Sequence, residues 1–597
     1  MIERRFLSGN QAIARGAWEA GVRFATGYPG TPSTEILETI AGMDGVDAHW
    51  ASNEKVAFEE AMGYAIAGGR TLVTMKHVGL NVASDAFMVF PYCGTNGGFV
   101  VVSADDPGMH SSQNEQDNRY LARMARVPIL EPADPQECHD LIVAAFDISE
   151  TFGTPVMLRT TTRTAHCKGT VTLGERRSPP MVPSTLRAER FSVPIYRHRL
   201  RPGLEDRIQR LAAFGMTASF NRIDKPRHPV GVIASGISRA YAREILSDAD
   251  FFDLAMTHPL PLATLIAFCA AHDTVYVFEE GDPFIEEQIR ACGVANLVGK
   301  DRLGVMGEYS PERLAAVVTG GAAFETSFAM DAPAPPRPPM FCVGCGHRTV
   351  FDVLGQLRVT VAGDIGCYTM GALPPYEAEH TTFCMGASIG TAVGLVRAGV
   401  KRTVAVIGDS TFIHSGIPSL IDAVYTRTPV TVLILDNATT GMTGQQSHPG
   451  TGTALDGNTA PAVDIEALVQ ATGVRHAVVV DTWDRAAVRR AILAALAHDA
   501  PAVVIIRGPC QLLPEMRSRD IQPLTVVEDL CTGCNACYRI ACPAITPGPN
   551  GLPAIDPALC VDCTVCQQFC HFDAIVTREA MMDGEQRFAP PDTRSST

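Results

Sequence analysis

Eight of the chain's 18 cysteines fall between residues 531 and 570. They form two arrays: Cys531, Cys534, Cys537 and Cys542, then Cys560, Cys563, Cys566 and Cys570. The first three positions recur 29 residues apart (560 − 531), which marks a tandem duplication. Three thiolates at two-residue gaps wrap three irons of one cubane, and in two-cluster modules the fourth cysteine reaches across to the other cluster. The spacing therefore predicts one [4Fe–4S] on Cys531, Cys534, Cys537 and Cys570, and a second on Cys560, Cys563, Cys566 and Cys542. Structural zinc takes four ligands, usually as two separated pairs, and fits two consecutive triples poorly. One irregularity stands out: four residues rather than three separate Cys537 from Cys542. The additional residue, within Arg539-Ile540-Ala541, reads as slack in a loop.

A second candidate site uses oxygen instead of sulfur. The apolar run Arg402–Ile407 ends in Gly408-Asp409-Ser410, and the run Val430–Leu435 ends in Asp436-Asn437. Strand ends on one edge of a parallel sheet are where ligands sit. The Asp409 carboxylate, the Asn437 side-chain oxygen and the Thr439 carbonyl would give Mg²⁺ three hard ligands, with two diphosphate oxygens and a water completing an octahedron. Taken alone, Gly-Asp-Ser after a strand is an ordinary turn.

Two carbon-chemistry candidates lie near the start. Asn53 and Glu54 read as the N-cap and first-turn acid of a helix. In "TGYPGTPSTEI", Thr31 reads as an N-cap and Pro32 as the first helical residue. A helix N-terminus and the Thr31 hydroxyl would then face a substrate carboxylate. The polar stretch 109–119 is either solvent surface or a substrate loop offering His110, Asn114 or Arg119.

The elements that must hold these residues are α/β. Gln11–Ala20, Pro32–Ile40 and Glu54–Ala67 read as helices between apolar strands Val22–Tyr28, Thr71–Met75 and Phe99–Ser103, a parallel, buried pattern. Residues 175–228, rich in Pro and Arg, read as linker and irregular surface. Strands Val230–Ala234 and Thr274–Phe278 alternate with helices Arg239–Leu246 and Pro283–Ala291. "APAPPRPP" (332–339) reads as a linker. Beyond it, strands Arg402–Ile407, Val430–Leu435 and Ala502–Ile506, with a helix at Ile417–Tyr425, form a further α/β unit. Residues 581–597 read as a tail.

The 597 residues suit roughly three to five domains. A net charge of −15 without a basic run argues against nucleic acid. The first ten residues lack the apolar stretch of a secretory signal. The run Pro259–Ala271 falls short of the ~18 residues a membrane span needs. A reduced, cytoplasmic setting follows from cysteines concentrated in a cluster module.

Gly408-Asp409-Ser410 followed by Asp436-Asn437 resembles the thiamine-diphosphate motif, with Ser410 and Asp436 departing from it. "SNEKVAFEEAMGYA" (52–65) resembles the segment whose carboxylate, here Glu54, serves the cofactor's aminopyrimidine. With "GYPGTPSTEI", "KHVGLN", "FEEGDPFIEEQIR", "CVGCGHR", "GDIGCYTMGALPP" and "GDSTFIHSGI", the chain resembles the 2-oxoacid:ferredoxin oxidoreductases, in particular the large (alpha) subunits of the indolepyruvate branch. The resemblance implies a pyrimidine-binding domain (1–180), a linker with a transketolase-C-terminal-like domain (181–330), a diphosphate- and Mg-binding domain (340–515) and a 2[4Fe–4S] ferredoxin-like module (524–580). It implies oxidative decarboxylation of aryl-2-oxoacids of the indolepyruvate or phenylpyruvate type to acyl-CoA, with electrons leaving singly to ferredoxin. Glu54 and Thr31 are the implied catalytic residues, and Gly408, Asp409, Ser410, Asn437 and Thr439 the implied cofactor site. It also implies a small beta subunit in a heterotetramer, and Cys342, Cys345 and Cys367 match positions where relatives hold a third cluster, with Cys510 as a fourth ligand. Another 2-oxoacid, a non-oxidative decarboxylase, or a non-catalytic electron-transfer subunit remain alternatives at this level.

Overall fold

The computed structural model describes residues 3–181, 187–320 and 339–577; the expected linker, save Pro339, and the tail lie outside them. The chain divides into two compact units, 1–333 with 454–458, and 334–453 with 459–597. Among the described residues, no helix is long and apolar enough to cross a membrane.

The first unit holds two sheets. The larger runs in the order Met256–His258, Ile129–Leu130, Val156–Thr161, Phe99–Asp105, Thr71–Lys76, Phe24–Gly27, Asp47–Trp50. All its pairings are parallel except that of Met256–His258, an antiparallel edge. Its central strands are buried on both faces, with helices on each side, which is why they read as continuous apolar runs. The second sheet orders Leu297–Val298, Thr274–Phe278, Val230–Ala234, Asp250–Asp253 and Arg222–Ile223. A buried ionic network ties the two sheets' neighbourhoods together. Arg119 bonds Asp117 and Glu279 at 2.5 and 2.7 Å, and Arg159 bonds Asp105 and Glu131 at 2.6 and 2.8 Å.

Two sequence expectations fail here. Within the supposed linker 175–228 stands a 23-residue helix, Val193–Gly215. Leu204, Ile208, Leu211 and Gly215 share one face, but Pro202 and a run of exposed arginines hide that stripe. The helix after "GYPGTP" begins at Thr34, with Ser33 preceding it, so Thr31 is not its cap. Thr31-Pro32 is a cis peptide within a turn in which the Ser33 amide bonds Gly30 O at 2.8 Å and Thr34 Oγ1 accepts from the Gly30 amide. The chain spends those residues on the turn, and the helix starts two positions late.

The second unit is built on a five-stranded parallel sheet, ordered Thr360–Ala362, Thr403–Gly408, Thr431–Asp436, Ala502–Arg507, His476–Asp481. Its strands alternate strictly. Val404, Val406, Leu433, Leu435, Val504 and Ile506 pack on one face, and Ala405, Ile407, Val432, Ile434, Val503 and Ile505 on the other. Two-sided burial fixes the register, since a one-residue slip would exchange the faces. The cysteine segment follows as two small antiparallel ladders, Leu524–Val526 with Ile575–Thr577 and Ile545–Pro547 with Pro553–Ile555. Two short turns, Ala536–Ile540 and Val565–Phe569, repeat the 29-residue offset (565 − 536).

Candidate functional site

Strand Thr403–Gly408 delivers Asp409 at its C-terminal end, and its neighbour Thr431–Asp436 delivers Asn437, in a register that pairs Gly408 with Leu435. After Asp409 the chain turns directly into helix, passing through a wide π-type turn at Phe412–Gly416 before Ile417–Tyr425. Asp409 is 2 % exposed. Its Oδ1 accepts from the Ser410 amide and its Oδ2 from the Ala438 amide, both at 2.8 Å. Ala438 reaches that amide position through a left-handed backbone, φ 59°. Ser410 and Thr440 share a hydroxyl contact at 2.9 Å, and Thr439 Oγ1 donates to Gln446 O. Asp436 pairs with Arg507 at 2.7 Å and also lies against Asp409, so that burial and the Asp409 carboxylate push its own carboxyl up.

The group nearest Asp409 that can carry positive charge is His448, Nε2 3.4 Å from Oδ2. Its Nδ1 accepts from the Gly450 amide. A buried carboxylate without a Lys or Arg partner is costly unless a cation joins it. The donor set of Asp409, Asn437 and the Thr439 carbonyl therefore suits a hard divalent ion.

The cysteines sort into three cavities. Cys531, Cys534, Cys537 and Cys570 line one, and Cys542, Cys560, Cys563 and Cys566 line another. The fourth cysteine of each array thus sits with the other array's triple. The third cavity is lined by Cys342, Cys345, Cys367 and Cys510 together with Asp436 and Asn437. Cys345 borders the second and third cavities alike. Burial pushes the Cys345 thiol up to about 12 and those of Cys367 and Cys563 to about 11; iron would reverse this by holding them as thiolates.

The supposed slack before Cys542 is occupied. Ala541 takes a left-handed conformation, φ 49°. The Ile540 carbonyl accepts from Tyr376 Oη at 2.7 Å and from Arg348 at 3.1 Å, and Ala541 O accepts from Arg348 as well.

In the first unit, Glu54 opens the helix Glu54–Ile66 and is 5 % exposed. Asn53 caps it, accepting from the Val56 amide at 2.9 Å. Gly79 of "KHVGLN" lies so close that a Cβ there would stand 2.6 Å from Glu54 Oε1. Thr31 is linked to the 109–119 loop, its carbonyl accepting from Ser111 Oγ at 3.1 Å. Of that loop's candidates, Arg119 is fully buried in the ionic network and unavailable to substrate. His110 pairs with Glu308 at 2.8 Å and Asn114 with His77 at 3.2 Å.

Sequence reasoning missed Lys76. It ends a strand beside the Thr31 turn, packs against Gly30 and donates to Ser111, whose amide bonds Asp106 at 2.8 Å. Burial pulls its ammonium down to about 8, with Asp106 partly opposing. The only signal in the sequence was a lysine closing an apolar strand. Glu379, also missed, is buried with one oxygen lacking a partner among the described residues, and burial pushes it up to about 7.

Residues 15–210 match the family described as pyruvate flavodoxin/ferredoxin oxidoreductase, thiamine diP-binding, and residues 364–506 the thiamine pyrophosphate enzyme C-terminal TPP binding domain. Indolepyruvate oxidoreductase subunit IorA of Archaeoglobus fulgidus is 41% identical over 612 aligned positions, covering 96% of this chain and 97% of its own. The same-named subunit of Methanothermobacter marburgensis is 41% identical over 608, with 96% and 97% covered. That of Pyrococcus abyssi is 38% identical over 639, with 98% of each covered. Identity at this level, sustained from end to end and across both thiamine-diphosphate-binding regions, makes the chain a member of the indolepyruvate oxidoreductase IorA family.

Proposed function

We propose that the chain is the large subunit of an enzyme that oxidatively decarboxylates indolepyruvate-type 2-oxoacids and passes the electrons out through iron–sulfur clusters to a ferredoxin. The observation that carries this reading is the crossed gathering of the eight array cysteines into two cavities, in the unit that also holds the Asp409–Asn437 edge. Asp409, Asn437 and the Thr439 carbonyl would hold Mg²⁺ and, through it, the diphosphate. Thiamine diphosphate, when bound, supplies the electron sink for loss of CO₂ from a 2-oxoacid. Glu54 would hold and release the proton at the pyrimidine.

The net chemistry breaks the bond between the keto carbon and the carboxylate, forms a C–S bond to coenzyme A, and releases one proton and two electrons. Each cluster takes one electron at a time, so the two electrons leave in separate steps. Cys342, Cys345, Cys367 and Cys510 are assigned a third cluster, because their cavity also contains Asn437. A small beta subunit completes the enzyme as a heterotetramer.

The test is anaerobic purification with the partner subunit, followed by assay with indolepyruvate, coenzyme A and viologen. Acyl-CoA and reduced dye in a one-to-two ratio are expected. Aldehyde without dye reduction would overturn the reading.

Lys76 and Thr31 are assigned the substrate carboxylate. A charged hydrogen bond contributes about 1.5–3 kcal/mol, so Lys76→Met should raise KM for the 2-oxoacid roughly ten- to hundredfold, with kcat less affected. Burial disfavours the ammonium, so Lys76 is charged below its pKa of about 8 and neutral above it. The substrate carboxylate stays ionised throughout. KM of the native enzyme should therefore rise as pH passes upward through 8, and the Met variant should lack that rise.

A further inference from the structure

We propose that Arg348 is the buried counter-charge of the electron path, setting the reduction potential of the cluster held by Cys542, Cys560, Cys563 and Cys566. This rests on the reading that the cysteine cavities carry clusters.

Arg348 is 3 % exposed and sits in the first turn of helix His347–Leu357. Buried guanidinium groups are normally paired with carboxylates. The other buried arginines among the described residues follow that rule: Arg119 and Arg159 meet Asp117, Glu279, Asp105 and Glu131, Arg70 meets Glu150, and Arg239 meets Glu137. Arg348 does not. Its hydrogen bonds go to neutral acceptors: Cys342 O at 2.9 Å, Ile540 O at 3.1 Å, Tyr376 Oη at 3.3 Å, and the carbonyls of Ala541 and Phe341. No carboxylate lies within ion-pair reach of it among the described residues.

What Arg348 does face is sulfur. It lines the cavity of Cys542, Cys560, Cys563 and Cys566, alongside Cys345, which that cavity shares with the neighbouring four-cysteine cavity. An iron–sulfur cluster with four thiolates is anionic and gains a further negative charge on reduction. A fixed positive charge beside it, shielded from water, favours the reduced form, and cluster potential follows net charge and solvent exposure. Five carbonyl- and hydroxyl-directed bonds hold the charge in place without neutralising it. The additional residue before Cys542 makes this possible. The left-handed turn at Ala541 places two successive carbonyls on the guanidinium, whereas the second array runs from Val565–Phe569 straight into Cys570. Arg348 touches no substrate; it acts through the cluster it faces.

The experiment compares Arg348→Gln and Arg348→Lys in the anaerobically purified full complex, with iron counted and potentials read by EPR-monitored redox titration. In the Gln variant, one cluster's reduction equilibrium should shift at least tenfold toward the oxidised form, a midpoint lower by about 59 mV for one electron. The cluster on Cys531, Cys534, Cys537 and Cys570 should not shift. The Lys variant, charged but without the planar fork, should titrate near the native enzyme. Unchanged potentials in the Gln variant, or equal shifts in Gln and Lys, would overturn the proposal. If Gln sheds iron, Lys decides: retained iron at the native potential supports the counter-charge, and equal loss marks Arg348 as a carbonyl clamp only. A native enzyme without iron in the module would instead refute the cluster reading beneath it.

Discussion

Asp409→Ala is expected to yield a folded, iron-loaded chain that no longer retains thiamine diphosphate and forms acyl-CoA more than a hundredfold more slowly. Losing a residue that merely supports a metal ligand costs roughly 10–100-fold in affinity or activity, and Asp409 is assigned the ligand itself. Two backbone amides, of Ser410 and Ala438, hold its carboxylate at the sheet edge; among the described residues no Lys or Arg pairs with it, and only His448 Nε2, at 3.4 Å, stands near enough to offset its charge. That arrangement is expensive without a cation and organised with one. The alanine variant leaves both amides without their acceptor, at about 1–3 kcal/mol each where they stay dry. Asp409→Asn, which retains an oxygen, separates that cost from the loss of charge. Thiamine and iron per chain, with far-UV circular dichroism, read the three properties independently. Native thiamine content in both variants would remove Asp409 from the site.

Sheet strands were the most legible part of the sequence. Val230–Ala234 and Thr274–Phe278 stand where the apolar runs placed them, and helix Ile417–Tyr425 agrees at both ends. Two-sided burial writes an unbroken apolar run, and such runs need no partner to be seen. Helix Val193–Gly215 was illegible because its buried stripe is thin and Pro202 interrupts it. The turn at Thr31 misled because Thr-Pro is chemically a good helix start, whereas Gly30 draws the chain into a turn first. Within the candidate site, Asp409 and Asn437 could be paired from sequence because both follow apolar strands by one residue. Lys76 and Arg348 could not, since their significance lies in what surrounds them. Lys76 matters because Gly30 and Ser111 enclose it, and Arg348 because no carboxylate answers it. A neighbour's absence leaves no mark on a sequence. The residue inserted before Cys542 was visible as an anomaly, and only the positions of Arg348 and Tyr376 gave it a purpose.

That inserted residue sharpens the expectation for Cys542→Ala. Cys542 shares its cavity with Cys560, Cys563 and Cys566, so its loss should strip one cluster and leave the one on Cys531, Cys534, Cys537 and Cys570. Because Ile540 and Ala541 are anchored by their carbonyls, the loop should keep its place, and thiamine binding in the 364–506 region should be unchanged. Acyl-CoA formation with ferredoxin should nonetheless fall by more than the roughly 10–100-fold that a mere supporting residue commands, because the cavity that borders Cys345 is the one emptied. Loss of the cluster on Cys531, Cys534, Cys537 and Cys570 predicts something different: Cys534→Ala, in the cavity that does not border Cys345, should slow ferredoxin reduction while still allowing 2-oxoacid to reduce the remaining clusters. The two variants thus order the path. If Cys542→Ala turns over with ferredoxin at the native rate, electrons leave by another route, and the crossed cysteine cavities are structural.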